Sequence, residues 1–141
     1  MIVKTVKIQS LRNSRWIAER CDVAESFLRR LQGLIGRTTL SPGQGLLLNP
    51  CNDIHMWMMS IPIDVVFIEK IANEEIRTGK IHEISNELPA SPNFRVTSVR
   101  ENLRPWKLLP TRDFRASQTL ELPVGTIRRC EIQPGDELCI S

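Results

Sequence analysis

The sequence predicts one mainly β domain with a single amphipathic helix. Three observations carry that reading. The chain has 141 residues, the span of one domain, and a domain of that size buries about two-thirds of its unfolded surface, enough for a core without staples. Nine prolines and seven glycines break it into short runs, several rich in Val, Ile and Leu and bounded by turn clusters. Only one stretch, between residues 24 and 35, repeats its apolar residues at helical spacing.

The elements follow in order. Residues 2–8, IVKTVKI, and 15–21, RWIAERC, read as short strands. A helix is predicted over 23–35, with Ala24, Phe27, Leu28, Leu31, Leu34 and Ile35 on one face and Phe27, Leu28, Leu31 and Leu34 buried. Asp22 and Glu25 have the form of an acidic capping box, and Gly36 stands where a left-handed C-terminal cap would. SPGQG is a turn. LLLN, DIHMWM and IDVVFIEK read as strands, as do residues 76–85 and 94–100, with LPASPN a loop between the last two. ASQTLELP is a further strand, and VGTIRRCEI holds one helical turn with Thr126 at its N-cap. QPGD fits a type II turn with Pro134 and Gly135 at its centre, and ELCI is the last strand.

The stretch PCNDIHMWMMSIPIDVVFIEK, residues 50–70, mixes core-forming residues with Cys51, His55 and Asp64. Alternate strand residues share a face, so Asp64 stands with Val66 and Ile68, while Ile63, Val65 and Phe67 make the other face. Both faces are apolar, which predicts a strand covered on both sides. An aspartate there is costly unless paired or hydrogen-bonded. Pairing 54–58 with 63–68 about a loop at 59 and 60 would set His55 opposite Asp64, with Trp57 next on that face. Pro62 opposes regular pairing near that turn. The competing view is that Asp64 ties a loop or an arginine in place.

No run reaches the roughly 18 apolar residues of a membrane span, and MIVKTVKIQSLRNSRW has no continuous apolar segment of a signal peptide. Cys21, Cys51, Cys130 and Cys139 form no C-x-x-C pair, so reduced thiols in a cytoplasmic protein are expected. A net charge of +3 is mildly basic and does not by itself imply nucleic acid.

GLIGR (33–37), the 50–68 stretch, NLRPWKLLP (102–110) and LELPVGTIRRCEIQPGDEL (120–138) resemble, in this order, the DUF192 (UPF0127) family of small prokaryotic proteins. The resemblance implies a compact, mainly antiparallel, jelly-roll-like β sandwich or barrel with one helix against it. It implies no activity, cofactor or catalytic residue. It places Arg37, Trp57, Met58 and Asp64 in the family's characteristic cluster and His55 in a CN-x-I-H variant, making Arg37 a bidentate partner for Asp64. The chain departs from the family near 71–93, where about twenty residues look inserted into an otherwise single domain over 1–141.

Several chemistries compete. Zinc needs about four ligands; Cys51 and His55 offer two, with Asp64 and Cys130 conceivable, but no second close pair exists. A thiol hydrolase would use Cys51 as nucleophile, His55 as base and Asp64 as orienter, without an activating helix after Cys51. Nucleic acid would meet residues 100–115, where five basic residues face two acidic ones beside Trp106 and Phe114; a solvated strand edge explains them as well. Met56, Met58 and Met59 read as core filler. The expectation is therefore a binding or accessory module for an unidentified small ligand, with Arg37, His55, Trp57 and Asp64 at its pocket. No cofactor, metal or membrane partner is expected, and nucleic acid is disfavoured. The alternative is a small hydrolase using His55 and Asp64.

Overall fold

The computed structural model describes residues 3–71 and 92–141, without the side chains of Phe27 and Leu31. Nine strands and two short helices are described: β1 (Thr5–Ser10), β2 (Trp16–Ala24), α1 (Phe27–Gln32), β3 (Gln44–Leu48), β4 (Asp53–Ile54), β5 (Ile63–Lys70), β6 (Phe94–Leu103), β7 (Thr111–Arg112), β8 (Gln118–Pro123), α2 (Thr126–Cys130) and β9 (Glu137–Ile140). Seven strands close a barrel in the order β1-β2-β3-β8-β5-β6-β9, and β9 returns to pair with β1. The pairs are antiparallel except β2 with β3. The mainly β barrel or sandwich predicted by the sequence is the fold.

Within the closed barrel β8 lies between β3 and β5. Their alternation then sorts into two cores. Leu47, Val66, Ile68, Leu120 and Leu122 fill one, joined by Ile17, Val96 and Leu138 from the other strands and by Ile127 and Cys130 of α2. Leu46, Leu48, Ile63, Val65 and Phe67 face the opposite way and are covered by Leu34, Ile54, Met56 and Met59. Strand β5 is thus covered on both faces, as its composition predicts: Ile63 to Ile68 are all buried. The second core exists because residues 26–40 and 49–62 lie as a layer over that face.

Several elements differ from expectation. The helix over 23–35 shrinks to six residues, because residues up to Ala24 continue β2 in parallel pairing with β3. Its cap is Ser26, whose Oγ accepts from the Arg29 amide, rather than Asp22 with Glu25. Its C-cap is Gly33 at φ 49°, rather than Gly36. Leu34 is buried just beyond the helix and Leu28 is exposed; the Phe27 and Leu31 side chains lie outside the described set. Of DIHMWM only Asp53 and Ile54 are strand, and they pair with Thr111 and Arg112 of β7 instead of with β5. Thr126 opens α2 as its first residue, and Gly125 is the N-cap. The QPGD turn is as expected, with Gly135 at φ 90° and the Asp136 amide donating to the Gln133 carbonyl. The strand predicted over 76–85, and residues 72–91 of the expected insertion, lie outside the described residues.

Candidate functional site

Asp64 begins the argument, because its environment relocates the site. It is buried on β5. One carboxylate oxygen accepts from the Asn102 amide at 2.9 Å, the other from the Gly125 and Ile127 amides at 3.0 Å each. The last two are the donors that the start of α2 leaves unmatched. Asp64 therefore caps α2 from the strand next to β8, which leads into that helix, and ties β6 to it. Arg37 is not its partner; Arg37 Nη2 meets Asp22 at 3.3 Å at the surface. Nor does Asp64 face His55, since the pairing that would oppose them is replaced by β4 with β7. The competing sequence reading, an aspartate tying a loop in place, describes its contacts.

A different cluster converges in the layer over the outer face. Glu121 of β8 lies between Leu46 of β3 and Val65 of β5, its direct partners on either side. Opposed residues point the same way, so its side chain enters the second core. Its carboxyl is 6% exposed and Oε2 has no hydrogen-bond partner. Burial pushes its pKa up to about 7. The end of α1 sits over it: a Cβ on Gly33 would come 3.9 Å from Oε2.

A cavity of about 50 Å³ opens beside this carboxyl, lined by Arg30, Cys51, Asp53, His55, Met59 and Glu121 among others. That space holds a few waters or the polar end of a small molecule. Asp53 uses Oδ2 to bind Arg112, with Nη2 at 2.5 Å and Nε at 3.0 Å, and leaves Oδ1 buried without a partner. His55 leaves Nδ1 in the same condition, and its ring packs against Trp57 with centroids 5.2 Å apart. Cys51 is fixed by Thr119 Oγ1, which donates to its carbonyl at 2.8 Å, while its thiol donates to the Asp53 carbonyl at 3.3 Å. Burial raises the Cys51 thiol pKa, the reverse of what a nucleophilic thiolate needs. Among the described residues, no three His, Cys, Asp or Glu side chains gather as a metal-ligand set. All four cysteines are free.

Of the predicted site residues, the structure sets His55 at this cavity, with Trp57 packed on it. Arg37 lines two larger, more open depressions beside Asp22, of about 180 and 170 Å³, and Asp64 is taken up with α2. Glu121 and Asp53 were missed. The signal for Glu121 was present: an acid in TLELP, the most apolar late strand, which is benign only if that strand has a solvated face.

The chain is a small closed β-barrel with a polar cavity buried under a loop layer. The DUF192 family model, described as an uncharacterized ACR, matches residues 8–91, more than half the chain. The protein belongs to the DUF192 family. The resemblant motifs at 102–110 and 120–138 lie beyond the matched range. A crystal structure from Sinorhizobium meliloti 1021, described as a candidate transcription regulator, is 21% identical with a TM-score of 0.70, covering 97% of this chain and 92% of that one. Another, of a protein of unknown function from Novosphingobium aromaticivorans DSM 12444, is 20% identical with a TM-score of 0.68, covering 96% and 84%. At these identities the likeness is one of fold. No curated protein matches the chain.

Proposed function

We propose that the protein is a small-ligand binding module whose pocket is the cavity at Cys51, Asp53, His55 and Glu121, and that its ligand enters with a cationic or hydrogen-bond-donating head. One observation carries this. Four buried side-chain polar atoms lack partners among the described residues, and three of them, Glu121 Oε2, Asp53 Oδ1 and His55 Nδ1, belong to residues that line this single cavity. Buried polar groups are ordinarily matched, so a convergent unmatched set is what a ligand's donors would complete. Two of the three are carboxylate oxygens, which accept and do not donate when ionised. The complementary head is an amine, amidine or amide.

Of the residues expected at a pocket, His55 lines this cavity, and Trp57 packs against the His55 ring without lining it. Arg37 and Asp64 lie outside it, Arg37 paired with Asp22 at the surface and Asp64 holding α2. The hydrolytic alternative is weaker. It needs His55 and Asp64 together, and Asp64 spends both oxygens on backbone amides, while the Cys51 thiol is held protonated by burial. Nucleic-acid binding draws on the description of the Sinorhizobium protein as a candidate transcription regulator. Against it, Arg112 is committed to Asp53 and Arg115 to Asp113 and the Thr97 carbonyl, leaving a thin electrostatic footprint.

Amide NMR titrations with methylammonium, guanidinium and acetamide test the reading. At about 1.5 kcal/mol per heavy atom, methylammonium with two binds no tighter than about 5 mM, and guanidinium and acetamide with four no tighter than about 0.04 mM, so each titration must run well above its own bound. The expected result is saturable shifts at Cys51, Asp53, His55 and Glu121 that Glu121→Gln removes. For a cationic head, affinity rises with pH until Glu121 is fully ionised, above about 7; for acetamide it does not. Shifts spread evenly over the surface, or unchanged in the variant, would end the proposal.

A further inference from the structure

A second surface borders the cavity, on the outer side of Trp57, which packs on His55. Trp57, Met58, Trp106, Leu108, Leu109 and Phe114 are exposed at 48, 61, 63, 81, 74 and 80%. They belong to two loops that the structure stitches together. The Trp106 amide donates to the Met56 carbonyl at 2.8 Å, Trp57 Nε1 donates to the Leu108 carbonyl at 3.2 Å, and β4 pairs with β7 between them. Single exposed apolar residues need no explanation, but a contiguous set of this size marks a surface that meets something apolar. Met58 and Trp106 also sit at φ 61°, a left-handed backbone that bulky side chains rarely adopt. The fold holds these two residues outward against local preference, the kind of outlier that points to use.

The charge around the patch selects the partner. No acidic residue occurs from 54 to 63 or from 102 to 112. Arg104 has no partner among the described residues, and Lys107 donates to the neutral Thr111 hydroxyl, so its charge is not neutralised. Of the acids that flank these loops, Asp53 is held by Arg112, Asp113 by Arg115, Thr97 and Ser98, and Glu101 by Arg128. What remains is tryptophan, leucine and methionine beside two cations, Arg104 and Lys107, that pair with no carboxylate among the described residues. Leu108 and Leu109 protrude next to each other, which suits a fluid apolar medium better than stacked bases, and Trp beside Lys or Arg is the composition that settles at the headgroup boundary.

We propose that this face docks peripherally on the surface of an anionic lipid bilayer, with Trp57, Met58, Trp106, Leu108 and Leu109 entering the headgroup region and Arg104 and Lys107 meeting lipid phosphates and carboxylates. The proposal is independent of the ligand reading. The expectation of no membrane partner rested on the lack of a spanning run, and no helix among the described residues is long and apolar enough to cross a membrane; that bears on crossing, not on lying at the surface.

The test is co-sedimentation of the full chain with vesicles of phosphatidylcholine alone and of phosphatidylcholine with phosphatidylserine, at low and physiological salt, with tryptophan emission read in parallel. The chain is expected to sediment with the serine-containing vesicles, to shift its emission to the blue, and to release as salt rises. Leu108→Ser with Leu109→Ser, both at exposed positions that spare the core, should weaken partition at least about tenfold. Arg104→Gln and Lys107→Gln should each weaken it about fivefold. Equal partition of the parent and the leucine variant overturns the proposal, as does failure to bind anionic vesicles at low salt. Dimerisation lost in the leucine variant, with no vesicle binding by the parent, overturns it in favour of a second copy on the same face.

Discussion

Glu121 is a buried carboxyl whose protonation ties stability to pH. Its ordinary pKa of 4.5 is raised to about 7 by burial alone. The folded chain therefore holds this proton more tightly than the unfolded chain does. Stability then falls as pH rises through that window, since it declines wherever the native state binds more protons. Below 4.5 both states are protonated and nothing is lost; above about 7 the full cost is in place, roughly 3 kcal/mol at about 1.4 kcal/mol per unit. Glu121→Gln removes the titration. It should be close to the parent at pH 4 and more stable than the parent at pH 8, in denaturant melts of ligand-free protein. An unchanged difference at the two pH values would mean that the carboxyl is solvated. Arg37 provides the contrast. Its pair with Asp22 is half-exposed, and such pairs are worth about 0–1 kcal/mol, so Arg37→Ala should leave the melt nearly where it was.

At the scale of elements, α2 depends on a residue sixty positions away. It has five residues and its N-cap glycine has no side chain to offer, so Asp64 supplies what the local sequence lacks. Asp64→Ala strands the Gly125 and Ile127 amides, the second in a buried residue. Each buried donor left unmatched costs about 1–3 kcal/mol, which predicts a loss of roughly 2–4 kcal/mol. Asp64→Asn should fare little better, because one end of an amide donates where acceptance is needed at both. Faster amide exchange at Gly125 and Ile127 in both variants would localise the loss to α2; exchange changed elsewhere instead would place it wrongly. These contacts also show what could be read in advance. Strand β5, covered on both faces, was legible because six consecutive residues with apolar side chains on both sides leave no solvated face. The partner of Asp64 was not legible, since a charge in a core strand announces a need without naming who meets it. The expected hairpin failed for a similar reason: Asp53 and Ile54 pair with residues 111 and 112, a contact that local alternation cannot encode.

At the scale of the molecule, barrel closure decides which polar residues become buried. Glu121 reads as an ordinary outward strand residue until β3 and β5 flank β8 and the layer of 26–40 and 49–62 covers it; its burial follows from two non-local pairings and that cover at once. Closure also defines what lies outside the core. The Ile71 amide donates to the Asn93 carbonyl at 3.0 Å, extending the β5–β6 ladder one step past Lys70 and Phe94. Ile71 and Asn93, on either side of the undescribed stretch, are thus held next to each other. Replacing residues 72–91 with a short glycine-containing turn should preserve a cooperative melt, because connections of different length differ little in closure entropy, about 0.6 kcal/mol per doubling. Asn93 must be kept. Its side chain donates to the Ile140 carbonyl and accepts from the Ile140 amide, both at 2.8 Å, and it anchors the start of β6 to β9, the strand that closes the barrel. Asn93→Ala should therefore cost more than deleting the twenty residues before it. A deletion variant that aggregates or melts without cooperativity, while Asn93→Ala melts like the parent, would show that the excursion and not the ladder holds this edge together.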